Sequence, residues 1–231
     1  MTYENIVEGL FVERRNRFIA NVLIEGQETL VHVKNTGRCK ELFLPGSKVF
    51  LERSKNADRK TQFSLISIYK GERLINIDSQ IPNAVVYEGI LKGMVSELTN
   101  CKVLKREVTY GNSRFDLYYE TDASKGFIEV KGVTLENDGV ACFPDAPTQR
   151  GTKHVLELIR ASDEGYKNYV FFLIQMKGIH HFIPNIKTDP EFAKSLVLAQ
   201  SSGVGVLCFN SMVGTDSIVL HERLESASIE I

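Results

Sequence analysis

The alternation of apolar and polar residues predicts that the first third of the chain is built from β-strands. Five short stretches alternate or are rich in β-branched residues, and turn-forming pairs such as Gly26-Gln27 and Pro45-Gly46 separate them. They cover residues 9–12, 18–24, 29–33, 48–52 and 62–69. Five short strands without an intervening helix are typical of a small closed barrel. We therefore predict an OB-like β-barrel over residues 1–80.

The pattern changes after a linker at residues 77–82, and residues 81–231 mix helices with strands. Helices are predicted from Pro82 to residue 92, from Thr148 or Gln149 to residue 163, and over residues 189–201. Strands are predicted over residues 103–110, 113–120, 127–130, 169–175 and 204–209. Residues 133–147 look irregular, with a turn at 137–139. The order helix, three strands, helix, strand, helix, strand predicts an α/β domain on a mixed sheet.

The three consecutive strands between residues 103 and 131 carry the candidate chemistry. Side chains alternate along a strand, so the usual antiparallel register brings Asp116 beside Glu129, with Lys131 next to them. Two carboxylates and a lysine at that spacing can hold a divalent cation against a phosphate.

An acidic residue followed two positions later by a basic one is not specific by itself. About three such triplets are expected by chance in this composition, and the chain has them at Glu13/Arg15, Asp58/Lys60 and Glu129/Lys131. Only the third ends a predicted strand that follows a hairpin strand with its own aspartate. The alternative is a surface ion pair worth about 0–1 kcal/mol, and the spacing leaves both readings open.

Composition and cysteine usage set the class of protein. The 231 residues are 43% hydrophobic and 25% charged, which is typical of a globular chain. The four cysteines are scattered without a C-x-x-C pair, which argues against a disulfide framework or a zinc site. The early residues are charged and no apolar run reaches membrane-spanning length, so we expect no secretory signal, no membrane partner and a cytoplasmic location.

Positive charge is concentrated in the predicted barrel. Residues 1–75 carry 13 basic against 9 acidic residues, and residues 76–231 carry 15 against 20. The basic residues gather at turns, as expected for an OB barrel that binds nucleic acid, although a solvated charged rim is the alternative. In the turn after residue 34, a glycine allows close backbone approach and a guanidinium suits a phosphate. The candidate contacts are Arg14, Arg17, Asn35, Thr36, Arg38, Lys55, Arg59 and Lys60.

The helix and strand order, with aspartate on the second strand and Glu-x-Lys on the third, resembles the restriction-endonuclease-like PD-(D/E)xK superfamily (αβββαβ). Four motifs in order, VHVKNTGRCKELFLPG, SRFDLYYE, IEVKGVTL and FPDAPTQRGTKHVLEL, resemble the sugar fermentation stimulation protein family. This resemblance covers essentially the whole chain. It implies an OB-like module joined to a nuclease-like domain, in a protein that binds DNA.

The resemblance also implies roles for individual residues. The metal ligands fall on Asp116, Glu129 and the Val130 carbonyl, with Glu88 as a further acid, and the conserved lysine of the superfamily falls on Lys131. Gln149 matches a glutamine near the start of the second helix. Two positions depart from the family pattern, Lys34 where proline is common and Gly132 where asparagine is common.

These observations support three functional hypotheses. The first is a deoxyribonuclease that uses Mg²⁺ or Mn²⁺, in which Arg150, Lys153 and His154 at the amino end of the second helix grip neighbouring phosphates. The second is a catalytically silent DNA-binding regulator of sugar (maltose) utilisation genes. The third is an RNA-binding or RNA-processing protein. Single-stranded or structured DNA is a more natural partner than a duplex of specific sequence. The sequence does not decide between a monomer and a homodimer.

Overall fold

The computed structural model describes residues 1–35 and 37–224, and its first part is the expected barrel. The strands are β1 (Ile6–Arg14), β2 (Ile19–Ile24), β3 (Gln27–Val33), β4 (Lys48–Arg53), β5 (Phe63–Lys70) and β6 (Arg73–Asn76). Their order is β3-β2-β1-β4-β5-β6, and a parallel pairing of His32 with Ser64 joins β3 to β5 and closes the barrel. The OB-like prediction is therefore confirmed. Strand β6, which sequence analysis missed, forms a hairpin with β5.

The second part is an α/β domain on a mixed sheet, which confirms the predicted fold class. Its elements are α1 (Pro82–Leu91), a 3₁₀ turn (Ser96–Leu98), β7 (Val103–Tyr110), β8 (Ser113–Glu120), β9 (Lys125–Val133), β10 (Leu135–Asn137), β11 (Val140–Phe143), α2 (Gln149–Asp163), β12 (Tyr169–Ile174), β13 (His181–Pro184), α3 (Pro190–Ser201), β14 (Gly205–Val213) and β15 (Ile218–Arg223). The main sheet has the order β15-β14-β12-β9-β8-β7. Strand β12 pairs in parallel with both β9 and β14, so it is buried on both faces.

Helices cover the two faces of this sheet. Helix α1 contacts β8, β9 and β15, whereas α2 contacts β8 and β9 and packs against α3. One carboxylate joins the starts of α2 and α3, because Asp189 accepts hydrogen bonds from Thr148 N at 2.7 Å and from Phe192 N at 2.9 Å. Within the described range, none of the helices has the length and apolar character needed to cross a membrane.

The segment 133–147, expected to be irregular, contains a hairpin instead. Strands β10 and β11 pair around a turn in which Asp138 and Gly139 have φ angles of +48° and +83°. Strand β11 then pairs in parallel with β13, and the three form a small second sheet. The predicted turn at 137–139 is confirmed, but the strands on either side of it were missed because strands of three or four residues are too short to show alternation. Strand β15 was missed as well.

A buried ion cluster ties the barrel to the α/β domain. The Glu136 side chain, only 5% exposed, accepts a hydrogen bond from Lys70 Nζ at 2.6 Å through Oε1 and pairs with Arg73 through Oε2. A second link joins the ends of β6 and β12, where Asn76 N donates to Gln175 O at 2.9 Å. Two independent links of this kind fix the orientation of one domain against the other.

Removing the Glu136 charge should weaken this junction. Burial by itself raises the pKa of Glu136, but Lys70, the Gly139 N–H and Arg73 outweigh it and lower the pKa below its usual value. A carboxyl group with a lowered pKa in the folded protein stabilises it above the ordinary pKa, and this contribution is lost as the pH falls through the folded value. Glu136→Gln should therefore cost about 2 kcal/mol of unfolding free energy at pH 7 in urea denaturation.

The difference between Glu136→Gln and the natural protein should shrink as the pH falls below 4.5, the ordinary glutamate pKa. Glu72→Gln, on the exposed turn between β5 and β6, is the matched control and should stay within about 0.5 kcal/mol of the natural protein. Equal stability of the two variants at pH 7 would contradict a role for Glu136 at the junction.

Candidate active site and nucleic-acid cleft

The aspartate of the candidate site lies where two strands of the main sheet separate. The ladder between β8 and β9 ends at the pair Leu117 and Ile128. Just beyond it, the Asp116 carboxylate takes the place of a main-chain acceptor, because its Oδ2 accepts from Val130 N at 2.8 Å. Its Oδ1 accepts from Asn83 Nδ2 of α1, also at 2.8 Å. Asp116 is thus fixed between β9 and α1.

Glu129 lies next to it with its two oxygens in different environments. The residue is 2% exposed, and its Oε1 lies 2.5 Å from both Lys131 Nζ and His154 Nδ1. Its Oε2 is buried and has no hydrogen-bond partner in the part of the chain that the structure describes. A buried carboxylate oxygen is costly to leave unpartnered, so this atom is a natural ligand for a cation.

The pKa shifts of the two acids differ in direction. Burial raises the pKa of Asp116, and the neighbouring charge of Glu129 raises it further, more than the Val130 N–H, Lys131 and Asn83 lower it. Burial also acts to raise the pKa of Glu129, but His154 and Lys131 outweigh burial and the net shift is downwards. Glu129 is therefore the firmly ionised member of the pair, and a divalent cation would relieve its repulsion of Asp116.

His154 is part of this cluster and does not lie on the surface where a phosphate contact was expected. It is 7% exposed, and its ring meets that of Phe115 edge-on with centroids 6.1 Å apart. The helical period explains its position, since residues 154 and 158 share one face of α2 and Leu158 is fully buried. The apolar spacing of α2 was the signal that could have revealed this, but the position of His154 beside Arg150 and Lys153 suggested a phosphate contact.

Glu88, expected to be a metal ligand, lies elsewhere. Its carboxylate pairs with the amino group of Met1 at 2.9 Å, and the α1 residue that reaches Asp116 is Asn83. The two positions are five residues apart, about 140° around the helix axis, so they cannot share a face. Across residues 1–35 and 37–224, no group of three or more His, Cys, Asp or Glu side chains could hold a metal ion. Of the three acids predicted to bind a metal, the structure brings together only Asp116 and Glu129.

The remaining residues of the α2 amino end are exposed. Gln149 lines a shallow hollow with Thr152 and Asp189, between the starts of α2 and α3. Arg150 is exposed, and Lys153 Nζ donates to Asn112 O at 3.0 Å at the turn between β7 and β8. Within the described residues, Gln149 forms no hydrogen bond with Asp116, Glu129 or the two donors of Glu129, Lys131 and His154.

A cleft of about 720 Å³ opens between the barrel and the α/β domain. The barrel side is lined by Arg14, Asn16, Arg17, Asn35, Gly37, Arg38 and Lys40, and the opposite side by residues 143–148. Gly132, which directly follows Lys131, also lines it. Three of the barrel residues, Arg17, Arg38 and Lys40, are exposed and form no salt bridge within the described part of the chain.

Arg14 builds the cleft wall and cannot serve as a phosphate contact. All five guanidinium N–H groups donate to main-chain carbonyls: Nε to Asn16 at 3.2 Å, Nη1 to Gly37 at 2.7 Å and Arg38 at 3.0 Å, and Nη2 to Arg17 at 2.8 Å and Asn35 at 2.5 Å. Because an arginine has only these five donors, none is left for a ligand. Arg14 therefore connects the β1–β2 turn to the loop that carries Arg38.

Asn35 also shapes this loop. It is buried, its Nδ2 donates to Ile77 O at 3.0 Å, and its Oδ1 accepts from Gly37 N at 2.7 Å. A Cβ on Gly37 would lie 2.5 Å from Asp145 Oδ2 and 2.9 Å from Asn35 Oδ1, so a larger residue there would have to displace these side chains. Thr36, an expected nucleic-acid contact, lies outside the described residues.

The other predicted basic contacts lie around a separate hollow. Lys55 and Arg59 line it together with Asn5 and Glu52. Lys55 pairs with Glu4, and Arg59 Nη1 donates to Ser64 Oγ at 3.0 Å. Lys60 is exposed nearby on the same β4–β5 loop. The basic residues of the barrel thus divide into a cleft group and a loop group.

The packing around Gly132 leaves little room for a side chain. A Cβ at this position would overlap Gln175 Oε1 and approach Pro82 Cγ to 2.8 Å. Gln175 is itself fixed, because its Nε2 donates to Asn76 Oδ1 at 2.9 Å. An asparagine could not be placed here without moving the junction between the domains.

Replacing Arg14 should loosen the cleft wall. A lysine has its donors on one nitrogen and cannot reach carbonyls arranged around a planar fork, so Arg14→Lys should cost about 1–3 kcal/mol of unfolding free energy. Amide hydrogen exchange at Gly37 and Arg38 should also become faster. Arg15→Lys is the control, since Arg15 only pairs with Glu13 at the surface, 3.7 Å away. Unchanged exchange in Arg14→Lys would show that the loop does not depend on Arg14.

Comparison with known proteins identifies relatives along the whole chain. The family model "SfsA N-terminal OB domain" matches residues 12–77, and "Sugar fermentation stimulation protein RE domain" matches residues 80–217. The sugar fermentation stimulation protein homolog of Alkaliphilus oremlandii is 53% identical over 230 residues, covering 97% of this chain and 98% of its own. The homolog of Clostridium beijerinckii is 52% identical over 225 residues, covering 97% and 99%.

A solved structure agrees with this assignment. The structure of Pyrococcus furiosus SfsA in complex with Ca²⁺ matches with a TM-score of 0.87 and 28% identity, covering 97% of this chain and 96% of that chain. The resemblance seen in the four sequence motifs is therefore confirmed. The chain belongs to the sugar fermentation stimulation protein (SfsA) family.

Proposed function

We propose that this protein binds DNA and hydrolyses its phosphodiester bonds with the help of a divalent cation, Mg²⁺ or Mn²⁺. The observation that carries the proposal is the pairing of Asp116 with Glu129, whose Oε2 is buried without a partner in the described ranges. Without a cation, the repulsion between the two carboxylates and the burial of an unpartnered Oε2 would both lower the stability of the folded protein.

The donor set suits a hard cation. Asp116 and Glu129 offer carboxylate oxygens, and the N–H and C=O of a strand residue point to the same side, so the Val130 carbonyl would face the gap beside Asp116. Oxygen ligands from a few protein groups, completed by water, are what Mg²⁺ prefers. The relative solved with Ca²⁺, another cation that takes oxygen ligands, supports this class of ion. A bound cation would polarise the scissile phosphate and lower the pKa of a bound water.

The protein's own residues supply the remaining functions. Lys131 is 15% exposed, and its Nζ donates to Glu129 Oε1 at 2.5 Å. From this position it would stabilise negative charge on the transferred phosphate. Asn83 and the Val130 N–H hold Asp116 in a fixed orientation, which limits the reorganisation needed when a substrate binds.

The cleft favours a single strand or a distorted structure over a regular duplex. Its volume of about 720 Å³ lies in the range of a small-molecule pocket, room for a short stretch of one strand. Arg17, Arg38 and Lys40 can contact phosphates, and Phe18, 52% exposed beside Arg17, can stack on a base. The proposed substrate is therefore single-stranded or structured DNA, with RNA as the alternative.

One observation favours a second function, DNA binding without cleavage. Lys131 and His154 already compensate the Glu129 carboxylate, and the cationic cleft wall does not depend on the acids. A silent DNA-binding regulator of sugar utilisation genes would need nothing more, and the family's name fits this alternative.

A cleavage assay tests the proposed chemistry. With Mn²⁺ and single-stranded, duplex and branched DNA, the natural protein should cut and chelator should abolish cutting. Lys131→Ala and Asp116→Asn should each lower the rate about 10²- to 10³-fold, as removal of one charge-stabilising group commonly does. Lys194→Ala, an exposed lysine on α3 that pairs only with Glu191, is the control and should cut normally. Cleavage by Lys131→Ala at the rate of the natural protein would show that the proposed site is wrong.

Binding measurements test the path of the strand. Arg38→Ala should weaken binding to single-stranded DNA, and the slope of log affinity against log salt should become shallower by about 1, as expected for one lost phosphate contact. Lys60→Ala, on the separate loop group, should have a smaller effect on both. Equal losses in the two variants would mean that the strand does not follow the cleft. Parallel titrations with RNA of the same sequence distinguish the two kinds of nucleic acid.

A further inference from the structure

His154 lies in the second turn of α2 with its ring turned towards β9. Its Nδ1 is 2.5 Å from Glu129 Oε1, and the edge-on contact with Phe115 limits how the ring can turn. We infer that His154 is a positioning residue, which orients the Glu129 carboxylate so that Oε2 is presented to a divalent cation. This inference rests on the proposed function and adds a residue to its machinery.

The two oxygens of Glu129 are divided between protein and ligand. Oε1 receives both available donors, Lys131 Nζ and His154 Nδ1, whereas Oε2 receives none among residues 1–35 and 37–224. A carboxylate held through one oxygen by two donors from different directions cannot rotate freely about its last side-chain bond. Oε2 is therefore held in one direction before any ion arrives.

Lys131 alone could not do this during a reaction. Its side chain is long and flexible, and in the proposed mechanism its ammonium turns to the phosphate of the substrate. At that moment Glu129 Oε1 would lose one of its two donors. His154 remains, because a shorter, buried side chain on a helix cannot follow the substrate.

The helix that carries His154 is well anchored. The Thr148 side chain caps it by accepting from Gly151 N at 3.0 Å, and Asp189 accepts from Thr148 N at 2.7 Å. A Cβ on Gly151 would lie 3.3 Å from the Phe192 ring, so α2 and α3 are closely packed at this point. A side chain on such a rigid element can hold a ligand's orientation within a narrow range.

Ca²⁺ titration calorimetry of the full chain tests the inference without relying on turnover. His154→Leu keeps an apolar volume but removes the donor, and the affinity for Ca²⁺ should fall about 10- to 100-fold, the usual effect of removing a hydrogen bond to a metal ligand. His154→Asn places an amide N–H close to the position of Nδ1–H, so the affinity should return to within a few-fold of the natural protein.

Two further variants separate positioning from folding. Leu158→Ala removes buried volume one turn along the same face of α2 but leaves both donors of Glu129 in place, so its unfolding midpoint should fall while its Ca²⁺ affinity stays normal. Asp116→Asn should lose Ca²⁺ affinity because it removes a proposed ligand.

The outcomes that overturn the inference are distinct. If Leu158→Ala loses as much affinity as His154→Leu, or if Asn does not rescue, His154 has only a structural role. If His154→Leu binds Ca²⁺ normally while Asp116→Asn does not, the inference fails and the proposed metal site stands. If Asp116→Asn binds Ca²⁺ normally, the proposed function fails together with the inference.

Discussion

The repulsion between the buried Glu129 carboxylate and its half-buried neighbour Asp116 is the constraint on which the rest of this structure depends. Asp116 and Glu129 are close enough that the charge of one raises the pKa of the other, and burial removes the water that would screen them. Each acid has its own set of donors, which are Asn83 and the Val130 N–H for Asp116, and Lys131 and His154 for Glu129. These donors come from α1, β9 and α2, so three elements together offset the repulsion between Asp116 and Glu129.

The position of the cleft follows from the way the two domains are joined. Glu136 with Lys70 and Arg73, together with the Asn76 and Gln175 hydrogen bonds, fix the barrel against the α/β domain. The basic loop shaped by Arg14 then lines the same cleft as Gly132, the neighbour of Lys131. A strand that follows the loop would therefore reach Gly132, one residue beyond Lys131. Neither domain alone forms this cleft, because residues of both domains line it.

Much of this could be predicted from sequence because the relevant signals are local. Alternation along β8 and β9, with the usual antiparallel register, was enough to place Asp116 beside Glu129. The barrel strands and the order of the helices could also be predicted, because their signals lie within short stretches of sequence. Strands β10, β11 and β13 were not, because a strand of three or four residues shows no period.

The roles that were predicted wrongly belong to side chains whose direction is set by tertiary packing. Whether the donors of Arg14 face phosphates or carbonyls depends on a loop that begins more than twenty residues later. Burial of His154 depends on how α2 lies on the sheet, and Glu88 misses the acids because of the phase of α1. In each case the sequence indicated the chemistry of the side chain but not where it points, because contacts between residues distant in sequence set its direction.

Anomalous diffraction from a crystal soaked in Mn²⁺ would locate the cation directly. If Asp116 and Glu129 bind it, one strong peak should lie within coordination distance of Glu129 Oε2 and the Asp116 carboxylate, on the side of β9 that carries the Val130 carbonyl. A crystal in which manganese binds only elsewhere, with the Asp116 and Glu129 carboxylates unchanged, would contradict the proposed metal site.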